Sequence, residues 1–143
     1  MKKIIILLSS LFFLYGCSSQ PESPTTTTEI KSEVSSIETK AKELFGDNIT
    51  FAEMKDTVTG EISESHTEYQ VIIEDEEVIA ADKNINSNQG SDEDKKIIDD
   101  IKNKANELAQ DLDNEIDAIQ VGYKEDGNIM LVAFNQKNKA IIE

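Results

Sequence analysis

The chain of 143 residues contains no arginine, no tryptophan, one cysteine and one histidine. Recognition of phosphate and of guanine relies on guanidinium groups and on basic residues that neutralise phosphates. With 14 lysines against 29 acidic residues, the formal net charge is −15. This composition argues against nucleic acid as a partner. It also argues against a domain that lies flat on anionic lipid, because polybasic segments are what hold a protein there.

The sequence also lacks the motifs that carry common enzyme chemistry. Its six glycines form no phosphate-binding loop and no dinucleotide-binding pattern, and there is no serine nucleophile elbow. His66 is the single histidine and lies in the polar stretch 63–68, a kind of sequence that is usually exposed. Catalysis and zinc binding need several groups together rather than one imidazole. We therefore predict that the protein is not an enzyme and has no cofactor, and we assign His66 no site role.

The N-terminus has the three parts of a secretory signal. Met1 is followed by two lysines, then by an apolar run from Ile4 to Tyr15, then by Gly16 and Cys17. A charged start, a short apolar run and a small residue at the cleavage point define a signal peptide. The stretch from Ile4 to Gly16 has 13 residues, whereas a membrane-spanning helix needs roughly 17–25.

The Gly16–Cys17 junction resembles the lipobox of bacterial lipoproteins. The resemblance covers residues 1–17. It implies that the signal peptide 1–16 is removed, that diacylglycerol is attached to the sulfur of Cys17, and that the mature protein is held on the extracytoplasmic face of the cell membrane. Two acyl chains give stable attachment where one does not. Tyr15 stands where such signals usually carry a small residue, and the alternatives are an ordinary cleaved signal and an uncleaved anchor.

Residues 17–28 have the composition of a tether. This stretch holds serines, threonines and both prolines of the chain, Pro21 and Pro24, and it offers too little apolar surface to build a core. We predict an extended linker followed by a single domain over residues 29–143, which has to hold together without a disulfide. Removal of residues 1–16 takes away two lysines and no acid, so the mature net charge would be −17.

Apolar spacing predicts two helices in this domain. The first is predicted over residues 29–45 with a cap at Thr27 or Thr28, and the second over residues 92–113 with a capping box that opens at Ser91. The apolar positions of both follow three- and four-residue steps, which place them on one face of each helix. They are Ile30, Val34, Ile37, Ala41, Leu44 and Phe45 in the first, and Ile97, Ile98, Ile101, Ala105, Leu108, Ala109 and Leu112 in the second.

Alternating apolar residues predict strands between and after the helices. The pair Asp126-Gly127 between two alternating runs predicts a hairpin, and the polar residues 82–91 predict a loop. The order α-β-β(-β)-α-β-β predicts an α+β domain with two helices on one face of an antiparallel sheet. The predicted strands cover residues 48–54, one or two segments within 62–73, 78–81, 118–123, 129–134 and a last edge strand at 140–142.

The acidic run from Asp111 to Asp117 is the clearest candidate for a cation site. Carboxylate oxygens suit calcium, but this run lacks the glycine of an EF-hand at its sixth position, and Gly122 stands where the twelfth-position glutamate belongs. Acidic runs are usually solvated, so we assign no metal site.

The second half of the domain resembles helix-strand-strand units of small Gram-positive lipoproteins, and the first half resembles PepSY-type modules in element order. Neither resemblance carries a site residue. Because no catalytic constellation is present, we predict a lipid-anchored, extracytoplasmic, non-catalytic binding or accessory module for a protein or peptide partner. The alternative is a small-ligand or cation-binding lipoprotein.

Overall fold

A computed structural model describes residues 35–142. The predicted α+β class is confirmed, with three helices and a five-stranded, mostly antiparallel sheet. Cys17, the signal peptide, the tether and residues 29–34 of the predicted domain lie outside the described residues. The elements are α1 (Ser36–Phe45), β1 (Ile49–Thr57), β2 (His66–Ile73), α2 (Glu76–Asn86), α3 (Asp92–Gln110), β3 (Ala118–Glu125), β4 (Asn128–Gln136) and β5 (Lys139–Ile142).

The sheet has the strand order β1-β2-β3-β4-β5, which is also the order along the chain. Three of its four pairings are antiparallel, but β2 and β3 run parallel, with Val71 opposite Val121. A parallel pair needs a crossover connection between its strands, and α2 and α3 provide it. The prediction of a fully antiparallel sheet is therefore wrong at the sheet's central pairing.

Residues 78–81, predicted as a strand, belong to helix α2. The side chain of Asp75 accepts a hydrogen bond from the backbone N–H of Glu77, and two acids occupy the first turn, where the helix dipole favours negative charge. Val78 and Ala81 are three residues apart and both are buried. A four-residue apolar run cannot distinguish strand from helix by period alone. The predicted loop 82–91 shrinks accordingly, because α2 continues to Asn86.

The helix starts follow local capping chemistry. Ser35 has an extended backbone and its side chain accepts from the N–H of Glu38, so the helix that ends at Phe45 begins at Ser36 and is not capped by a tether threonine. The predicted capping box of α3 is confirmed, because Ser91 and Asp94 each accept from the other's backbone N–H. α3 ends at Gln110 rather than at residue 113.

The main core lies between the helices and one face of the sheet. The core residues of β2 and β3 follow two-residue spacing, as expected for a pleated sheet with one face buried, whereas β4 contributes two adjacent residues next to the irregularity in its pairing with β3. On the other face, Ile62 of the loop 58–65 packs with Ala118 and Phe134 in a smaller cluster. Members of the main core are Ile37, Ala41, Val71, Ile73, Val78, Ala81, Ile98, Ile101, Ala105, Leu108, Ala109, Leu112, Ile119, Val121, Tyr123, Val132 and Ala133.

The predicted hairpin joins β3 to β4. Asp126 and Gly127 both have positive φ, 49° and 82°, which is the conformation of the two-residue turn that matches strand twist. Within this hairpin, Gly122 of β3 lies so close to Met130 of β4 that an added Cβ would stand 2.2 Å from the Met130 carbonyl oxygen. The sheet therefore needs a glycine at this position.

Candidate functional site

A polar groove of about 590 Å³ lies between α3 and the outer strands β4 and β5. One wall comes from α3, where residues at steps of three and one share a helix face. The floor comes from alternate residues of β4 and β5, which point to one side of the sheet. The wall residues are Asp99, Lys102, Asn103 and Asn106, and the floor residues are Ala133, Asn135, Ala140 and Ile142.

The floor of the groove contains an unpaired hydrogen-bond acceptor. Asn135 is only 3 % exposed, and its Oδ1 has no hydrogen-bond partner among the residues that the structure describes. Its backbone lies opposite Ile119, a core residue of β3. A buried acceptor left unpaired costs about 1–3 kcal/mol. This oxygen is itself closed off from solvent beneath the groove, so a ligand's donor reaches it only when the side chain of Asn135 turns towards the groove.

The groove borders an open strand edge. β5 pairs with β4 only at Phe134, Asn135 and Gln136, so residues 128–133 have no strand neighbour on that side within the described part of the chain. Ile129, Met130 and Leu131 are 36–37 % exposed. None of residues 129–134 is charged, although soluble proteins commonly protect an edge with a charge or a proline. This edge offers unpaired backbone N–H and C=O groups beside apolar side chains.

The wall of the groove adds two opposite charges, Asp99 and Lys102, and the amides of Asn103 and Asn106. An amide side chain donates and accepts hydrogen bonds at once. A ligand that carries both donors and acceptors along its length meets complementary groups here. A peptide backbone has this property at every residue.

The structure corrects the sequence interpretation of His66. The stretch around it is polar, yet the residue is buried. Its Nδ1 lies 2.9 Å from the carbonyl oxygen of Glu64, and its Nε2 lies 3.8 Å from Oε2 of Glu68. The burial comes from the loop 58–65, which Ile62 fastens to the sheet. A single isoleucine among polar residues forms no periodic pattern, so the sequence did not indicate that this loop covers His66.

The acidic run connects α3 to β3. Asp111, Asp113 and Glu115 are exposed, while Asp117 is half-buried and accepts a hydrogen bond of 2.8 Å from the backbone N–H of Thr67 at the start of β2. Between residues 35 and 142 there is no group of three or more His, Cys, Asp or Glu side chains placed to hold a metal ion. Cys17, the predicted lipidation site, lies outside the described residues.

The structure brings together groove residues that the sequence did not single out. Asn103 and Asn106 have the spacing of an ordinary solvated helix face. Asn135 comes directly after the predicted strand 129–134, at the start of a polar tail in the sequence, whereas the structure places it within β4. None of the helices within residues 35–142 combines the length and apolar content that a membrane crossing requires. No protein-family model, curated protein or solved structure matches the chain.

Proposed function

We propose that this protein is a lipid-anchored, extracytoplasmic binding module whose groove between α3, β4 and β5 holds an extended peptide segment of a partner protein. The observation that carries the proposal is the uncharged free edge of β4 beside the buried, unpaired Oδ1 of Asn135. The anchor at Cys17 rests on the lipobox resemblance. The module acts by binding and carries out no chemistry of its own.

Addition of a strand to an exposed sheet edge is a general mode of peptide recognition. Backbone hydrogen bonds along the free edge of β4 supply affinity for any extended chain. Alternate side chains of the bound peptide fall into the groove on the helix side, and the donor that pairs with Asn135 Oδ1 fixes the register. A volume of about 590 Å³ is within the usual range of ligand sites, about 300–1,000 Å³.

Charge favours a partner segment over a second copy of the chain. Two copies of the mature chain, each with 12 lysines against 29 acidic residues and thus a net charge of −17, repel each other as they approach. The edge itself offers apolar side chains, Ile129, Met130 and Leu131. The fitting occupant is therefore an extended segment with apolar side chains and no excess of acids. The acidic surface would also steer a basic partner protein towards the module.

The test uses the full chain at the membrane, with a photo-crosslinking amino acid at Met130 and a matched control at Val58. Val58 is also apolar and exposed, at 61 %, but it lies in the loop 58–65. We expect Met130 to cross-link to one segment of one partner, and a synthetic copy of that segment to bind the purified protein. Binding should be lost in Ile129→Lys, since an edge charge blocks strand addition, and retained in Val58→Lys.

Each outcome bears on a separate part of the proposal. Failure to recover any specific partner contradicts the binding role. A partner that Ile129→Lys still binds leaves the role standing and overturns the groove as its site. Cross-linking only to a second copy of the chain replaces the partner by self-association. Membrane fractionation that is unchanged in Cys17→Ala contradicts the lipid anchor.

A further inference from the structure

A second polar cluster lies on the sheet face opposite the groove, beneath the loop 58–65. His66 and Glu68 are two residues apart on β2 and so point to the same face. Their side chains are 0 % and 3 % exposed. The proposed binding function does not use either of them. Two titratable groups removed from water in this way need a structural or regulatory explanation.

The hydrogen bond to the loop fixes one proton of the imidazole. His66 Nδ1 lies 2.9 Å from the carbonyl oxygen of Glu64, and because a carbonyl oxygen only accepts, Nδ1 carries a hydrogen. Nε2 then faces Oε2 of Glu68 at 3.8 Å, and neither atom has a hydrogen-bond partner within residues 35–142. A neutral Nε2 and an ionised carboxylate are both acceptors and would repel. A proton on either Nε2 or the carboxyl group removes this conflict.

We propose that the loop 58–65 is a proton-dependent clasp. The His66–Glu68 pair keeps the clasp closed while one of its two groups carries a proton. Loss of this proton to solvent releases the loop and uncovers the apolar cluster of Ile62, Ala118 and Phe134. No bond other than that to the proton is made or broken, and water is the proton acceptor.

The loop is connected to the pair through its own backbone. Thr59 and Ile62 hold it in a turn, with the N–H of Thr59 donating to the Ile62 carbonyl and the N–H of Ile62 donating to Thr59 Oγ1, each at 3.0 Å. Two residues further on, the carbonyl of Glu64 accepts from the imidazole. A change in the pair therefore acts on the same short loop whose isoleucine covers the apolar cluster.

Within residues 35–142, no cation other than His66 faces Glu68. Its register neighbours are Met54 on β1 and Ala118 on β3, which are uncharged. From the loop comes Glu61, a further negative charge that disfavours ionisation of Glu68. An ionised Glu68 without a proton on His66 is therefore a buried, uncompensated charge, and its free energy falls when the loop opens and admits water.

The other neighbours of His66 are either uncharged or paired with other groups. Thr57, its neighbour on β1, is uncharged. Lys55 pairs with Glu53 at 3.3 Å. The carboxylate of Asp117 accepts from the backbone of Thr67. The proton on the pair is thus the main electrostatic variable at this site.

The sign of the effect follows from burial. Burial raises the pKa of the Glu68 carboxyl above its ordinary value of 4.5, and the charge of His66 opposes this rise without cancelling it. The folded state then binds more protons than the unfolded chain as soon as the pH exceeds that ordinary value. This contribution to stability is complete below pH 4.5 and is lost as the pH rises through the raised pKa. The clasp therefore loosens as the pH rises through the raised pKa of Glu68.

The first measurement is a nitrogen-15 NMR titration of the full chain in detergent micelles. His66 is the only histidine, so its imidazole signals need no assignment. We expect the hydrogen of the neutral ring on Nδ1. A neutral ring with its hydrogen on Nε2 overturns the proposal, because Nε2–H would pair with the carboxylate without a shared proton.

The second measurement is amide hydrogen exchange of the loop, corrected for the intrinsic pH dependence of exchange. We expect the Ile62 amide to lose about tenfold in protection for each unit by which the pH exceeds the pKa of the pair. The backbone amide of Val71, in the core, is the internal control, and its protection should not change with pH in this way. Protection of Ile62 that is constant from acid to mildly alkaline pH overturns the proposal.

A substitution that removes the titrating group but keeps the shape of the site distinguishes the effect of the proton from that of side-chain packing. In Glu68→Gln, the amide is nearly isosteric and donates permanently to His66 Nε2, so Ile62 should stay protected at all pH values. Glu61→Gln is the matched control on the loop; because it removes a negative charge that raises the pKa of Glu68, the pH dependence should persist and move to lower pH. Equal pH dependence in wild type and Glu68→Gln overturns the proposal. Should Glu68→Gln fail to fold, the two wild-type measurements still decide.

Discussion

The hydroxyl of Tyr123 donates a hydrogen bond of 2.9 Å to Oδ2 of Asp82, which joins β3 to α2 inside the core. Both residues are buried. The side-chain amide of Asn86 donates to the same oxygen, also at 2.9 Å. A buried carboxylate is tolerated only when its oxygens are hydrogen-bonded, so this small network determines whether α2 can stay on the sheet.

We expect Tyr123→Phe to destabilise the protein by about 1.5–3 kcal/mol, because it leaves a buried charged acceptor with one donor fewer. Urea unfolding at neutral pH measures this change. Tyr69→Phe is the control, since the Tyr69 hydroxyl makes no hydrogen bond among the described residues, and its effect should be about 0.5 kcal/mol or less. Equal effects of the two substitutions would contradict the role of the Asp82 hydrogen bond.

The same network predicts a loss of stability in strong alkali. Burial, and then the hydrogen bond and charge of Asp82, raise the pKa of Tyr123 from 10.0 to about 12. The folded state therefore holds this proton more tightly than the unfolded chain does. The contribution is complete below pH 10 and disappears as the pH rises through 12. Unfolding free energies across this range should fall more steeply in wild type than in Tyr123→Phe, and parallel curves would refute the assignment.

Gly122→Ala should destabilise the sheet by about 1–3 kcal/mol or more, as an overpacked core does. An added Cβ would stand 2.2 Å from the backbone oxygen of Met130, which is fixed by strand pairing and has no freedom to move aside. Gly60→Ala is the matched control, since nothing lies within 4 Å of its Cβ position. Thermal unfolding of the two variants should differ by several degrees, and similar melting temperatures would show that the hairpin tolerates the methyl group.

Asn135→Leu should separate stability from binding. The substitution removes the unpaired buried Oδ1, so we expect an unfolding free energy equal to or about 1 kcal/mol above that of wild type. Binding of the partner peptide should nevertheless be lost, because its donor no longer has an acceptor in the groove. Asn103→Leu, on the wall of the same groove, tests whether added apolar surface alone produces this result. Asn135→Leu with full peptide affinity would remove Asn135 from the proposed site.

Where local chemistry decides the structure, the sequence was sufficient to predict it. Ser91 and Asp94 satisfy the first backbone N–H groups of α3, and Asp126-Gly127 suits a turn with positive φ, so the helix start and the hairpin were both predicted. The prediction of a strand at residues 78–81 was wrong because four consecutive apolar residues fit both the two-residue period of a strand and the 3.6-residue period of a helix. With residues 78–81 assigned to a strand, the crossover of α2 and α3 that a parallel β2–β3 pair requires could not be predicted either.

The two polar clusters could not be predicted for a different reason. His66 is buried by a loop that folds back over it, and Asn135 is buried by the packing of a helix that lies 25 or more residues earlier in the chain. The identity of a polar residue does not show whether its side chain is surrounded by water or by protein. Their environment depends on contacts between distant segments, which neither composition nor periodicity contains.

The parallel pairing of β2 with β3 divides the molecule into two sequence-local parts. One part is α1 with the β1–β2 pair, and the other is the meander β3–β4–β5. The contacts that join them form a seam between residues that are far apart in the chain, such as Thr67 and Asp117, which are 50 positions apart. Because long-range contacts require the costliest loop closure, the rate at which the chain folds should depend mainly on this seam.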